Sequence, residues 1–399
     1  MIRSAFFSVG FRPFFASGIL FSALALFVWA AFWQLDTQAT VLTHFNTVGG
    51  FLFWHPHELI MGFALAIIMG FLLTAARNWT GLETAPPFAL FILWALWLFA
   101  RWVMAYGNEL PFEVILTSQL AVPLLAAVFI ARPIIQKRMW RNIFAPVILV
   151  IFALFDCTLL YQVNSHGVIP SPLLHANVLL ILLMISMIGG RVIPMFIANK
   201  LGIQKPNEPQ SVFLTAILPL VVLMITYVLA DDFSSTDIFT RIVTTCCAAL
   251  LFVSHTLRLI TWHHKGIWKQ PMLWSLWLFY AALPLGFLVL ALAPVLESWV
   301  HIGSIPIHIL ALGGVAGLIL SMVSRVSLGH TGRVIVHDKV IVAAFALLIA
   351  SLLVRTLFIA VLGLSSQLIM LSALLAASSC LLIFVRFMIV WLTPRPDSK

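Results

Sequence analysis

The chain has 399 residues, of which 62% are hydrophobic and only 9% are charged. Ordinary globular proteins are about 45–50% apolar and about 25% charged, so a soluble fold of this length could not cover its surface. The alternation of polar and apolar residues that marks a membrane β-barrel is absent. The formal net charge of +9 does not indicate nucleic-acid binding, because the basic residues are concentrated in segments on one side of the predicted membrane. The composition therefore predicts an all-α polytopic membrane protein.

Apolar runs bounded by turn residues predict twelve membrane-spanning helices within a single transmembrane domain, residues 1–399. A helix needs roughly 20 residues to cross a hydrocarbon core about 30 Å thick. The first run continues well beyond a candidate cleavage site, which predicts an uncleaved helix instead of a signal peptide. The predicted spans lie near 14–34, 55–76, 87–106, 111–131, 143–163, 173–197, 211–230, 238–262, 271–293, 303–327, 340–361 and 365–392.

The basic residues predict the orientation of these helices. If the N-terminus is inside, every lysine and arginine lies in or beside a cytoplasmic segment except Arg101, Arg191, Arg241 and Arg355, which lie within spans. The opposite segments carry only acidic charges. By the positive-inside rule, both termini are expected in the cytoplasm.

Spans 2 and 10 share a sequence pattern. From His57 and from His308, small residues recur at the same offsets, and each segment closes with Thr-Gly. Span 6 begins with His175 but carries larger residues at those offsets, so three repeats of four helices (1–142, 143–270 and 271–399) form a weaker hypothesis.

A small-residue stripe either lets helices approach closely or leaves flat room for a macrocycle. Both interpretations place spans 2 and 10 at the centre of the fold. The stripes comprise Gly62, Ala66 and Gly70 in span 2, and Gly313, Gly317 and Ser321 in span 10.

Twelve histidines in such an apolar chain are its most informative feature. His57, His175 and His308 each lie in the first turn of a span that starts on the outer side, so all three are expected at similar depth. Neutral imidazole is the usual protein ligand of haem iron and copper, although interfacial histidines also simply tolerate headgroup water. We predict His57 and His308 as axial ligands of haem, and His175 and His55 as ligands of copper.

The run Trp54-His55-Pro56-His57-Glu58 permits a finer prediction. Pro56 suits the first position of a helix, which would make His55 the cap and put Glu58 in the first turn. Because the two histidines are two residues apart, they cannot point the same way along a regular helix.

Charged residues inside spans need partners or water. Arg101, Arg241 and Arg355 are predicted near the outer ends of their spans, where they would hold haem propionates or form buried ion pairs. Asp156 lies well inside span 5, and Arg191 is near enough to the cytoplasm to extend its side chain to the surface.

Several other kinds of chemistry are not indicated. The four cysteines fall inside spans without a Cys-x-x-Cys pair, which argues against an iron–sulfur cluster. The sequence also lacks a phosphate-binding glycine loop and a nucleophile with an adjacent base, so hydrolases and nucleotide-driven pumps are not favoured.

Four motifs in this order resemble the NnrS family: Gly10-Phe11-Arg12-Pro13-Phe14-Phe15, then Trp54-His55-Pro56-His57-Glu58 running to Asn78-Trp79-Thr80-Gly81, then Gly189-Gly190-Arg191-Val192-Ile193-Pro194, and Ser324-Arg325-Val326-Ser327-Leu328-Gly329-His330-Thr331-Gly332-Arg333. The resemblance implies a bacterial inner-membrane protein with twelve helices that contains haem and copper and takes part in the response to nitric oxide. The predicted arrangement of twelve helices, with histidines at the outer ends of spans 2, 6 and 10, is also similar to that of haem–copper oxidases. Span 10 lacks the paired histidines of those enzymes, so a binuclear oxygen-reducing site is not expected. Residues expected to support a site without binding the cofactor are Glu58, Asp156, Arg191, Arg325 and His330.

Two functions follow as hypotheses. The first is a haem- and copper-binding membrane protein that binds nitric oxide near the periplasmic side and protects against nitrosative stress, with turnover and the electron donor left open. The second is a secondary transporter of a small solute or metal without a redox cofactor, with its site at mid-depth around Asp156 and Arg191.

Overall fold

A computed structural model describes residues 5–34, 44–230, 238–296, 304–334 and 338–396. Within these ranges, twelve helices are long and apolar enough to cross a membrane, which confirms the predicted fold class and number of spans. They are α1 (Phe11–Gln34), α2 (Phe51–Thr80), α3 (Pro87–Tyr106), α4 (Phe112–Gln136), α5 (Trp140–His166), α6 (Ser171–Leu201), α7 (Gln210–Leu229), α8 (Ile238–Trp262), α9 (Pro271–Leu296), α10 (Ile305–His330), α11 (Lys339–Leu362) and α12 (Ser366–Leu392).

The start of α2 differs from the prediction. Gly49 and Gly50 have φ values of 70° and 77°, which glycine adopts without a steric cost. They turn the chain into a helix at Phe51, and Gly50 occupies the N-cap position. The prediction that His55 caps the helix and Pro56 occupies its first position was therefore wrong. Pro56 lies inside the helix, where it has no N–H to donate to a carbonyl of the preceding turn.

Among the described residues, three helices contain a π-helical segment. These segments are Glu58–Ala64 in α2, Ile309–Ala316 in α10 and Val354–Phe358 in α11. The first two begin directly after His57 and His308, so the similarity between spans 2 and 10 extends to their backbone geometry. π-Helical turns are rare and occur frequently at functional sites.

By internal contacts the chain divides into two compact units. The first comprises Met1–Pro170, Val326–Ile335 and Cys380–Lys399. In it, α1 packs on α2, and α4 packs on α2, α3 and α5. The predicted boundaries of the three repeats stay a prediction.

The second unit comprises Ser171–Arg325 and Val336–Ser379. In it, α6, α7, α8 and α9 pack consecutively, and α10 contacts α6, α9 and α11. Of the twelve spans, α2 and α10 have the largest buried shares, which confirms the prediction that both helices are central.

The small-residue stripe of α2 faces α1. A Cβ added at Gly62 would overlap the ring of Phe21, and one at Gly70 would lie 2.9 Å from the Cβ of Phe14. The stripe therefore serves close packing of two helices, as one of the two interpretations predicted.

The stripe of α10 faces α9 in the same manner. A Cβ at Gly313 would lie 2.8 Å from the Cβ of Ala282, and one at Gly317 would overlap the ring of Phe279. In both units the space beside the stripe is filled by the helix that precedes it in sequence, so the close-packing interpretation is confirmed at these glycines.

Candidate functional site

The first unit contains a buried polar network at the start of the π-helical segment of α2. His57 is fully buried, with its Nδ1 2.9 Å from Oε1 of Glu58 and its Nε2 2.8 Å from Oδ1 of Asp156 on α5. Arg101 on α3 donates one hydrogen bond to the same Glu58 oxygen and another to Oε1 of Gln119 on α4. We call these five residues the His57 network.

The His57 network brings oppositely charged groups together where water is excluded. A buried charge needs a counter-charge, because burying an unpaired charge is costly. The ion pair between Arg101 and Glu58 gives each of the two residues its counter-charge. Of the two roles predicted for Arg101, the structure therefore shows the buried ion pair. Glu58 Oε2 and Asp156 Oδ2 have no hydrogen-bond partner among the described residues.

Gln119 was missed by the sequence analysis. Its Nε2 donates to the carbonyl oxygen of Ala100 and to the hydroxyl of Ser118, both at 3.0 Å, which aims its Oε1 at Arg101. The signal in the sequence was the polar run Thr117-Ser118-Gln119 inside an apolar span.

His55 and His57 point in different directions, as predicted from their spacing. The His55 ring stacks on Trp29 of α1, with 4.1 Å between ring centroids and 10° between ring planes. His55 therefore contacts Trp29 on a different side of α2 from the side that carries the His57 network.

The second unit contains a different histidine site, which we call the His308 cluster: His175, Ser304, His308 and Arg355. The Nδ1 of His308 lies 2.5 Å from the carbonyl oxygen of Ser304, one turn earlier. Arg355, from the π-helical segment of α11, and His175 of α6 lie close enough to His308 to interact with it electrostatically. The Nη1 of Arg355 is buried and has no hydrogen-bond partner among the described residues.

The other predicted residues lie at separate positions along α6, α8 and α10. Arg241 lies in the first turn of α8, and Arg191 is exposed on α6. Arg325 is buried near the end of α10, with its guanidinium carbon 4.0 Å from the centroid of the Phe196 ring. His330 is exposed at the last position of α10.

A third buried polar group lies in the second unit and was not predicted. Arg258 of α8 forms an ion pair with Glu208 and donates to the carbonyl and the hydroxyl of Ser186, at 3.0 and 2.7 Å. Its Nη1 also lies 3.1 Å from the hydroxyl of Tyr280, which is 2.7 Å from Nδ1 of His255. The sequence analysis used Arg258 only as one of the basic residues that indicate the cytoplasmic side. The structure shows that its side chain is fully buried.

This third group explains one glycine of the Gly189-Gly190-Arg191 motif. A Cβ at Gly190 would lie 3.1 Å from Nη2 of Arg258, whereas Gly189 has no contact that close. The absence of a side chain at Gly190 therefore makes room for the Arg258 guanidinium.

The histidines differ in their fitness to bind a metal. In the described part of the chain, no three His, Cys, Asp or Glu side chains form a group that could hold a metal ion. Both ring nitrogens of His57 are hydrogen-bonded to carboxylates. His308, by contrast, uses Nδ1 for a backbone carbonyl, which is the usual arrangement of a histidine that presents Nε2 to a metal.

Comparison with known families agrees with the motifs. The model of the family described as NnrS protein matches residues 5–395, nearly the whole chain. The chain belongs to the NnrS family. The match to NnrS spans all four motifs, the His57 network and the His308 cluster. A search of curated proteins gives no match. Membership of the NnrS family is consistent with a membrane protein of the nitric oxide response.

Proposed function

We propose that this NnrS-family protein binds haem at the His308 cluster and protects the cell by binding nitric oxide there. The observation that carries the proposal is the hydrogen bond between His308 Nδ1 and the Ser304 carbonyl. When Nδ1–H donates to a carbonyl, the tautomer is fixed and Nε2 keeps its lone pair for a metal. Haem iron supplies a site at which nitric oxide, a small uncharged molecule that enters apolar surroundings, binds directly.

The neighbours of His308 suit a cofactor that carries carboxylates. Arg355 has a buried Nη1 without a partner in the described structure, and a guanidinium pairs readily with a propionate. His175 is a second imidazole within electrostatic reach of His308. The copper-binding roles predicted for His175 and for His55 stay predictions, each within its own unit. By the predicted orientation, the His308 cluster lies toward the periplasmic side of the inner membrane.

His57 fits an axial role less well than His308. Binding of a metal at either ring nitrogen would remove a hydrogen bond to Glu58 or to Asp156 and leave a buried carboxylate without it. We therefore propose that His308 would hold the haem iron and that His57 has a charge-pairing role.

Absorption spectra of the detergent-purified protein, oxidised and reduced, with iron and copper analysis and a nitric oxide titration, test the proposal. We expect Soret and α bands that shift with nitric oxide, their loss in His308→Ala, and their retention in His57→Gln. His166→Ala, an exposed histidine at the end of α5, is the matched control and is expected to keep the bands. Full haem content in folded His308→Ala would overturn the axial assignment, and a folded wild-type protein without haem would overturn the function.

The His57 network favours a second candidate, a proton-coupled secondary transporter. Chains of His, Asp and Glu inside a membrane are typical of proton relays in transporters. The sequence analysis placed the site of a transporter around Asp156 and Arg191. The His57 network contains the buried Asp156, whereas Arg191 is exposed on α6. Solute uptake in vesicles that depends on a proton gradient, lost in Asp156→Asn, together with a purified protein free of haem, would favour the transporter over the haem protein.

A further inference from the structure

Two of the four motifs have no part in the proposed function, and the first unit brings them together. One contains Phe11 and Arg12 at the start of α1, and the other contains His330 and Arg333 at the end of α10. The rings of Phe11 and His330 lie 5.9 Å apart. Both arginines bind Thr393, just after the end of α12.

Arg12 is buried to an unusual degree for a residue at the end of a span. Its side chain is 3% exposed, and its Nη1 donates to the carbonyl oxygens of Trp391 at 3.1 Å and Thr393 at 2.6 Å. Its Nε has no hydrogen-bond partner in the part of the chain that the structure describes. No carboxylate among the described residues forms an ion pair with it.

Arg333 places a second positive charge beside Arg12. Its Nη2 donates to Oγ1 of Thr393 at 2.6 Å, and its Nη1 is buried without a partner among the described residues. The two guanidinium groups are close enough to repel each other electrostatically. His330 lies within electrostatic reach of a further cation, Arg395.

The backbone at this place offsets only part of the positive charge. The carbonyl end of a helix such as α12 carries the equivalent of roughly half a negative charge, against two full positive charges on the arginines. The first turn of α1 contains no acidic residue. The backbone N–H groups of Phe11 and Arg12 already donate to Oγ1 of Thr74 and to the carbonyl oxygen of Val9, so the arginine side chains are left as the donors for an anion. Buried charges are stable only when they are paired, and the described residues supply no full counter-charge at this site.

We propose that Arg12 and Arg333 bind a phosphate group at this end of the first unit. The guanidinium fork matches phosphate oxygens with paired hydrogen bonds, and each arginine has one buried N–H group that is not otherwise used. By the predicted orientation the site faces the cytoplasmic leaflet, where anionic headgroups concentrate. The phosphate belongs either to a headgroup with a net negative charge, unlike the zwitterionic headgroup of phosphatidylcholine, or to a free anion.

Thermal unfolding of the full-length protein in nanodiscs tests the proposal. One series compares phosphatidylcholine alone with phosphatidylcholine containing phosphatidylglycerol, and a second adds inorganic phosphate or chloride of equal ionic strength to phosphatidylcholine nanodiscs. We expect phosphatidylglycerol or inorganic phosphate to raise the melting temperature of the wild type. In Arg333→Gln, which lacks a charged donor, the amount needed for half the effect should rise about tenfold or more.

Arg132→Gln is the matched control, because Arg132 is an exposed arginine near the cytoplasmic end of α4 by the predicted orientation. This variant should respond as the wild type does, which separates the site from general attraction between basic residues and anionic lipid. A rise with phosphatidylglycerol alone identifies a lipid headgroup, and an equal rise with inorganic phosphate identifies the free anion. The proposal is overturned if neither raises the melting temperature, or if Arg333→Gln responds as the control does.

Discussion

Arg101 links two helices to α3 through a single guanidinium group. It pairs with Glu58 of α2 and binds the side-chain oxygen of Gln119 on α4. Glu58 has no other cationic partner in the described structure except the neighbouring His57. The stability of the first unit is therefore expected to depend strongly on this one residue.

Replacing Arg101 by methionine should strongly destabilise the protein. The change leaves Glu58 buried without its strongest counter-charge, and removal of one member of a buried ion pair costs about 3–5 kcal/mol. Thermal unfolding in detergent measures the effect. Arg191→Met removes the same charge from an exposed position and should change the free energy of unfolding by less than about 0.5 kcal/mol. Equal melting temperatures for the two variants would contradict a stabilising ion pair at Arg101.

Sequence patterns could place these residues in spans but could not pair them. His57 and Asp156 are 99 residues apart, and Arg101 and Glu58 are 43 apart. A charge within a span predicts that a partner exists, because an unpaired charge is costly there. Which partner it has depends on how the helices pack, and the sequence alone left propionate and carboxylate partners equally open for Arg101.

At the scale of single helices, α10 combines a glycine that packs tightly with a glycine that does not. A Cβ at Gly317 would overlap Phe279 of α9, whereas a Cβ at Gly329 would meet no atom within 4 Å. Both residues lie in the α-helical part of α10, so they share the same backbone state. The same substitution should thus have opposite effects at the two positions.

We expect Gly317→Ala to destabilise the protein by about 1–3 kcal/mol, the usual cost of overpacking a close contact. Gly329→Ala should be neutral or stabilising by up to about 1 kcal/mol, since alanine favours a helix more than glycine does. Melting temperatures of the two variants in one detergent provide the comparison. If Gly317→Ala is as stable as Gly329→Ala, close packing of α9 and α10 at this position is incorrect.

The elements themselves were predictable to different degrees. The length and apolarity of each run are fixed by the thickness of the bilayer, so all twelve spans were found. The start of α2 was misplaced because Pro56 suggested a first helical position, while the two glycines before Phe51 had already turned the chain into the helix. The π-helical segments after His57 and His308 leave no composition signal, since they differ from α-helix only in backbone hydrogen bonding.

For the molecule as a whole, the distribution of basic residues predicts the topology. The C-terminus should be cytoplasmic, and the turn between α3 and α4, which contains Asn108 and Glu109, should lie on the other side. Green fluorescent protein fused to the C-terminus should therefore fluoresce, and alkaline phosphatase fused there should be inactive. Alkaline phosphatase fused after Asn108 should be active. Activity of the C-terminal phosphatase fusion would reverse the orientation and move the His308 cluster to the cytoplasmic side.

The hydrogen bonds of Arg12 also bear on how the protein is synthesised. Its acceptors at Trp391 and Thr393 come 379 and 381 residues later in the chain. While the ribosome is translating, α1 must wait in the membrane with an arginine whose backbone acceptors have not yet been made. The hydrogen bonds between Arg12 and the end of α12 can form only after Thr393 has been translated. A ribosome that stops before Thr393 therefore releases a chain in which the first unit lacks these hydrogen bonds.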